Sequence, residues 1–226
     1  TAENLYSGET ASYVEGENAN SKWMFEYAGL KDKQPVIHGA NGDFYNFSSA
    51  PSGDARNYML NMGTTVAPYT LGLINNFKFY DLNLSFIVTG KFGHVFRRKT
   101  FNYPSLGSGR LLPNSKLSDV LNADGSTIVP LPQNDNEPQY YFWDRFYPYL
   151  SYLIESANHI RMQEINIQYN LPMKKWNAFK NTNAAVFMQG NDLFIIKANK
   201  VGEDPEYPLG TIKPQRKFTI GVRVGF

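Results

Sequence analysis

The chain has 226 residues, no cysteine and a formal net charge of +2, which excludes a disulfide scaffold and a thiolate metal site. No basic run exceeds Arg97-Arg98-Lys99, so nucleic acid is a poor partner. Tyr (15) and Phe (16) far outnumber Trp (3), and 18 Gly with 13 Pro punctuate the sequence, a composition that suits many short strands better than helices.

No apolar run reaches the length of a transmembrane helix and no signal peptide is visible; a β-barrel has no such run, so this does not bear on one. The sequence begins at Thr1 without an initiator Met, and a processed product or a piece of a longer polypeptide is expected. Residues 1–22 are polar and read as an exposed loop. Residues 22–30 (KWMFEYAGL) read as one short aromatic strand, followed by turn signals at Gly39, Asn41-Gly42 and Pro51-Ser52-Gly53. Asn41-Gly42-Asp43 lacks the further acids and closing Glu of a calcium loop, so a plain Asn-Gly turn is expected. His38 reads as an exposed loop side chain.

Leu71, Leu73, Phe77 and Phe79 alternate with Gly72, Asn76 and Lys78, with a local break at Ile74-Asn75. After Tyr80-Asp81 the alternation resumes as Leu82, Leu84, Phe86 and Val88 against Asn83, Ser85 and Thr89. Two long strands with so tight a connection make an antiparallel hairpin. The second strand is expected to continue through Phe92 and Phe96 into Arg97-Arg98-Lys99. Aromatics followed by cations suit a membrane interface, or an ordinary solvated strand end. His94 has no second histidine or acid beside it and reads as packed or interfacial.

Pro, Ser, Asn and Gly dominate residues 100–138, and a dense ring cluster follows: Tyr140, Tyr141, Phe142, Trp143, Phe146, Tyr147, Tyr149 and Tyr152. A loop this long usually has a job. Its rings could stack on sugar faces or peptide side chains, knit the loop to its neighbours, or form an interfacial belt. Packing is the first expectation, and Tyr140, Tyr141, Trp143 and Tyr147 are the candidate ligand contacts. Asp135, Glu137 and Asp144 have no partner at a spacing that makes a general acid–base pair. Gly107-Ser108-Gly109-Arg110 lacks the Lys-Ser/Thr of a phosphate loop.

Ile165, Ile167, Tyr169 and Leu171 alternate with Glu164, Asn166, Gln168 and Asn170 until Pro172 ends the strand; lining a barrel, the second set would make a polar lumen wall. Residues 174–180 hold Trp176 and Phe179 three apart among lysines, as one amphipathic turn at an interface would. Residues 184–197 alternate poorly: Val186 and Met188 follow one phase and Leu193 and Ile195 the other, and a bulge at Gly190-Asn191 would switch between them. In the loop 198–213, Glu203, Asp204 and Glu206 bunch together, and a solvated acidic loop is expected over a metal site.

The clearest pattern closes the sequence. Phe218, Ile220, Val222, Val224 and Phe226 form one face; Lys217, Thr219, Gly221, Arg223 and Gly225 form the other. A soluble sandwich would put one face on a core and one in water. A transmembrane barrel strand puts lipid on one side and a polar lumen on the other. The terminal aromatic and the mixture of small residues with cations favour the barrel. Phe218, Ile220, Val222, Val224 and Phe226 then face lipid, and Lys217, Thr219 and Arg223 face the lumen with Glu164, Asn166, Gln168 and Asn170.

A run of short segments, in order, resembles the C-terminal part of SusC/RagA-type TonB-dependent transporters. They are Tyr27-Ala28-Gly29-Leu30, Gly63-Thr64-Thr65-Val66-Ala67-Pro68-Tyr69 and Lys91-Phe92-Gly93-His94, then Ser156-Ala157-Asn158-His159-Ile160-Arg161 and Gln168-Tyr169-Asn170-Leu171-Pro172. Gln189-Gly190-Asn191-Asp192-Leu193-Phe194, Asp204-Pro205-Glu206 and Pro214-Gln215-Arg216-Lys217-Phe218-Thr219-Ile220-Gly221 complete the set. The resemblance implies an all-β fold, the last five or so antiparallel strands of a 22-stranded transmembrane β-barrel with an N-terminal plug. Residues 1–70 would be an extracellular loop region with a short strand, and 71–226 the barrel strands with extracellular loops 98–159 and 198–215. The crossings would lie near 71–80, 82–97, 160–171, 184–197 and 216–226, with periplasmic turns at 80–82 and 172–183. It also implies an outer-membrane location in a Gram-negative, Bacteroidetes-like bacterium, oligosaccharide or oligopeptide cargo, and contact with lipid and lipopolysaccharide. A SusD-like surface lipoprotein would be the partner. TonB would act only indirectly, because plug and TonB box are absent from these residues.

Five strands leave two open edges, which hydrocarbon does not tolerate, so the remaining barrel and plug must come from more chain. The residues alone also leave open a small self-contained outer-membrane barrel for adhesion or binding, and a secreted soluble β-rich carbohydrate-binding protein. An enzyme is not expected, for no nucleophile–base–acid set, metal cluster or phosphate loop is present, and no cofactor is called for. From the alternation, Ile220→Arg or Val222→Arg should lower membrane assembly more than Gly221→Ser, as scored by the folded fraction recovered from membranes.

Overall fold

The computed structural model describes residues 14–46, 55–98, 138–176, 182–208 and 210–225. Phe179, Phe226, the Pro51-Ser52-Gly53 turn and the segment 99–137 lie outside them. In chain order the first strands are β1 (Ser21–Met24), β2 (Tyr27–Lys31), β3 (Gln34–His38), β4 (Phe44–Tyr45) and β5 (Leu60–Thr64). There follow β6 (Tyr69–Phe79), β7 (Leu82–Phe92), β8 (Val95–Arg97), the helix α1 (Pro138–Arg145) and β9 (Ile154–Ser156). The last three are β10 (His159–Leu171), β11 (Asn183–Lys197) and β12 (Lys217–Gly225). These elements fall into two compact units: Thr1–Val66 with His94–Ser156 and Glu206–Thr211, and Ala67–Gly93 with Ala157–Pro205 and Ile212–Phe226.

In the first unit β1 pairs with β5, β2-β3-β4 form a meander, and β8 pairs with β9. The single strand expected over 22–30 is instead broken at Phe25. That residue's N–H donates to the Tyr149 carbonyl at 2.8 Å, and the Ser151 N–H donates to the Phe25 carbonyl at 2.8 Å. Its buried ring meets Phe146 edge-on at 5.3 Å. Captured main chain and buried ring together bend the strand. Asn41 (φ 58°) and Gly42 (φ 83°) form a turn in the left-handed region, as the dipeptide predicts. His38 is not in a loop: it ends β3, exposed, with its ring 5.7 Å from that of Phe44.

The core of this unit is ring-rich. Phe142, Trp143, Phe146, Tyr147 and Leu150 are buried at a spacing of four along α1 and the turn after it, which stacks them on one face toward Trp23, Phe25, Ile37 and Tyr58. The rings of Trp143 and Tyr147 stack at 3.8 Å. Aromatic pairs of this kind contribute about 0.5–1.5 kcal/mol each beyond the area they bury.

The second unit is one antiparallel sheet in the order β12-β11-β10-β7-β6. Tyr80 and Asp81 make the expected two-residue turn, with Tyr80 at φ 52°. β7 ends at Phe92 and does not run on to Arg97. Gly93 stops it: its φ is 80°, its N–H donates to Asn158 Oδ1 at 2.7 Å, and an added Cβ would stand 2.9 Å from Pro68. The break at Ile74-Asn75 is one of residue type alone, since Ile74 pairs with Ile87 and Asn75 with Phe86 in unbroken register.

The irregularity expected in β11 is present but lies further along. Glu164 pairs with Asn191 and Met162 with Phe194, so Asp192 (φ 52°) and Leu193 are inserted on one strand and Gln163 on the other. The side chain of Leu193 lies against Gly190 on the apolar face, where Phe194 and Ile196 continue the series; Ile195 is in register with Arg161 on the polar face.

Register therefore sorts the sheet into two faces. One carries Phe77, Leu84, Ile167, Met188 and Ile220 in a lateral row, and no paired position on it bears a charge. Phe218, Ile220 and Val222 are 67%, 75% and 63% exposed, so they are not packed into a globular interior. The opposite face carries the cations and every paired amide except Asn75, which lies beside Phe86 on the apolar face.

Gly221 is on that opposite face, under the ring of its partner Phe187: an added Cβ would come within 2.6 Å of the ring. Gly221→Ser therefore has a cost of its own, because the Phe187 ring must move to admit the new side chain. Gly221→Ala or Gly221→Ser should destabilise the sheet by about 1–3 kcal/mol, and pairing either with Phe187→Ala should recover part of the loss. Loss of the heat-resistant folded band on gels measures both.

Candidate functional site

The polar face of the sheet is the candidate site, built row by row from β-register. Asn76, Ser85, Asn166, Gln189 and Thr219 lie side by side across all five strands. The next row is Lys78, Asn83, Gln168, Phe187 and Gly221, and on the other side come Ile74, Ile87, Glu164, Asn191 and Lys217. Gln168 Nε2 donates to Asn170 Oδ1 at 2.9 Å and Gln189 Nε2 to Asn191 Oδ1 at 3.4 Å. The Arg223 guanidinium stands 6.0 Å from the centre of the Phe187 ring. A shallow groove over β6, β7 and β10 is lined by Asn76, Lys78, Asn83, Ser85, Asn166 and Gln168, together with Phe77 and Leu84. Carboxamides both donate and accept, so such a surface can pair with hydroxyls or with peptide groups.

Glu164, Asn166 and Gln168 thus lie next to one another as the strand pattern predicts, and Thr219 and Lys217 extend their rows. Asn170 pairs with Ala185, which pairs with Arg223. Sequence reading missed Gln189 and Asn191 as wall residues, because the insertion at Asp192-Leu193 obscures the period of β11. Asn76, Lys78, Asn83 and Ser85 were legible as the polar half of the hairpin and need only the register to join the wall.

A tight loop follows β11. The Ala198 N–H donates to the Asn158 carbonyl at 3.0 Å, Asn199 Nδ2 donates to the Glu203 carbonyl at 2.8 Å, and the Glu203 N–H returns to Asn199 Oδ1 at 3.0 Å. Lys197 Nζ donates to the Gly202 carbonyl. Asp204 is not solvated as expected: it is buried, and Arg161 Nη2 donates to both of its oxygens at 2.9 Å. This loop is therefore fastened to a β10 residue on the polar face. His159, two residues before Arg161, is buried with Nδ1 2.8 Å from the Ala157 carbonyl, which makes Nδ1 the protonated nitrogen.

The ring candidates separate. Trp143 and Tyr147 have no exposed surface and belong to the core of the first unit, so the packing reading replaces the ligand-contact reading for both. Tyr140 and Tyr141 are half-buried, with rings 5.9 Å apart and nearly perpendicular. The spacing of Phe142 with Phe146 and Trp143 with Tyr147 is a helical signal in the sequence that marks core rather than surface. Burial, then neighbouring Tyr147, pushes the Tyr152 hydroxyl well above its ordinary range. Burial and nearby Arg97 hold the Lys22 ammonium below its own. Trp176 is exposed after a single 3₁₀ turn at Met173–Lys175. Among the described residues no group of three His, Cys, Asp or Glu could hold a metal.

Antiparallel strands of 9 to 15 residues with one charge-free face and one amide-rich face have the architecture of a β-barrel wall. Comparison with known proteins agrees. The chain is 23% identical to TonB-dependent receptor P26 of Formosa agariphila, over 98% of its own length and 23% of that protein's. Among solved structures it is similar to the RagAB peptide transporter, with a TM-score of 0.55 and 16% identity over 90% of this chain and 22% of that one. The RagAB peptide importer is matched in its open-open state (TM-score 0.55, 15% identity, 96% of this chain and 24% of that one). Its closed-closed state is matched too (TM-score 0.54, 16% identity, 96% and 25%).

At such identities the structures establish the fold alone, an antiparallel β-fold shared with part of these transporters. The curated relative carries the likeness to TonB-dependent receptors over nearly the whole chain, so the resemblance read from the sequence stands. The proteins matched are named as a receptor and as transporters, not enzymes. No family model matches. The chain spans about a quarter of the length of the proteins it matches.

Removing Asp204 leaves the Arg161 guanidinium buried without its carboxylate. Asp204→Ala should cost about 3–5 kcal/mol locally and open 198–205 to proteolysis, while Arg161→Met with Asp204→Leu should restore much of the protection. Cleavage rates within the loop, measured on the membrane-assembled protein, test this.

Proposed function

We propose that this chain forms wall and external loops of a TonB-dependent outer-membrane importer of oligopeptides or oligosaccharides. The single observation that carries the reading is the sorting of the sheet into a charge-free exposed face and an amide-rich one, combined with the likeness to a TonB-dependent receptor. On this reading Phe218, Ile220, Val222, Val224 and Phe226 meet lipid. Glu164, Asn166, Gln168, Asn170, Lys217, Thr219 and Arg223 line the lumen. The edges β6 and β12 are unpaired among the described residues, and further strands of the same barrel complete them.

The SusD-type lipoprotein, the plug and the indirect action of TonB follow from the family resemblance. The named peptide transporters favour peptide cargo, and the amide wall serves peptide groups and sugar hydroxyls alike. Tyr140 and Tyr141 are the rings left as candidate cargo contacts. Against a soluble β-protein stands the exposure of Ile220 and its neighbours, and against a small self-contained barrel stands a sheet whose two edges are unpaired among the described residues.

Arginine at mid-bilayer costs about 2–4 kcal/mol on a lipid face and far less in a lumen. Ile220→Arg and Val222→Arg should therefore reduce assembly of the whole transporter in outer membranes, while Thr219→Arg, which replaces Gly221→Ser as the control, should assemble normally. Equal recovery of all three variants would remove the assignment of faces. Uptake of labelled peptide and glycan oligomers by cells with and without the transporter tests import itself.

A further inference from the structure

The charges on the polar face are almost all of one sign. Lys78, Lys91, Arg161, Lys197, Lys217 and Arg223 share that face, with Glu164 as the one acid at its paired positions. The whole chain is nearly balanced, with 22 cations to 20 anions, so the bias belongs to the face and not to composition. Asp204 offsets one cation, Arg161, and the Lys197 ammonium meets a neutral carbonyl. Lys78, Lys217 and Arg223 are exposed and stand on three different rows, so the positive charge is spread along the wall.

Their neighbours on the face are Asn83, Asn166, Gln168, Gln189 and Thr219, which orient a ligand without neutralising the cations. A wall of this kind beside a low-dielectric layer focuses positive potential into the space it bounds, attracting anions at long range and accepting carboxylates by charge-assisted hydrogen bonds at contact.

We propose that this wall selects anionic, carboxylate-bearing oligomers from the pool of possible cargo. The inference rests on the importer reading above and narrows it from a transporter of oligomers to one with a charge preference. Carboxylates occur on acidic peptides and on uronic-acid glycans, and the wall recognises what the two share.

The test uses the intact transporter that contains this chain, purified in detergent, with four labelled probes of matched length. They are oligoglutamate, oligoglutamine, an oligogalacturonate and a neutral oligogalactan. At low ionic strength the anionic member of at least one pair should bind on the order of tenfold more tightly than its neutral counterpart. The pair that shows the difference tells peptide from glycan. The preference should collapse at about 1 M salt, where the screening length is about 3 Å.

Lys78→Gln, Lys217→Gln and Arg223→Gln combined should bring the anionic-to-neutral affinity ratio close to one by weakening anionic binding much more than neutral binding, and an unchanged heat-resistant gel mobility shows that the variant is folded. Should the triple variant fail to assemble, the salt dependence of the native protein decides alone. Equal affinity within both pairs at low salt overturns charge selection and leaves the importer reading standing. Binding of none of the four overturns both.

Discussion

Every side chain on a β-strand must go to one face or the other, and in the five-stranded sheet the two faces are held to different chemistries. Lateral pairing puts Phe77 beside Leu84, Ile167, Met188 and Ile220, and puts Asn76 beside Ser85, Asn166, Gln189 and Thr219. A shift of one residue in any strand would exchange its two sets and place amides or cations among the apolar side chains. Register is thus tied to solvent on both sides of the sheet at once. The price of that arrangement is an apolar face that water alone cannot cover at the exposure seen for Phe218 and Ile220.

Two local devices keep the polar face ordered. The Phe187 ring fills the space over Gly221, where a glycine would otherwise leave β12 without a side chain to pack. Arg161 and Asp204 tie a loop to the face through a buried ion pair. Such a pair adds little net stability over an apolar replacement, but once formed it is expensive to break, which suits a contact that sets position. Where the pairing has to change phase, it does so at Gln163 and Asp192-Leu193, and the apolar series continues beyond them through Met162 and Phe194.

The first unit is built differently. Its strands are short, and its order comes from rings delivered by α1 and the turn after it: Phe142, Trp143, Phe146, Tyr147 and Leu150. Phe25 shows how closely main chain and ring packing are linked there, since the hydrogen bonds that break the strand are made by the residue whose ring is buried. A segment that composition marks as a loop acquires a core because its aromatic residues recur at helical spacing.

The presence of the five long strands, the Tyr80-Asp81 turn and the two faces of β10 and β12 were determined by the sequence alone. Period-two alternation is a local property, and a turn of two residues leaves a hairpin no other pairing. The same holds for the family likeness, carried by short segments whose order survives low identity. Other features were left to the tertiary structure: the place of Gln189 and Asn191 in the wall, the end of β7 at Gly93, the burial of Asp204 against Arg161, and the removal of Trp143 and Tyr147 from the surface. Each depends on residues distant in sequence: an insertion that can be located only against its partner strand, an Asn158 that receives the Gly93 N–H, a cation 43 positions away. Periodicity reports which residues share a face, but only the packed chain decides what that face touches.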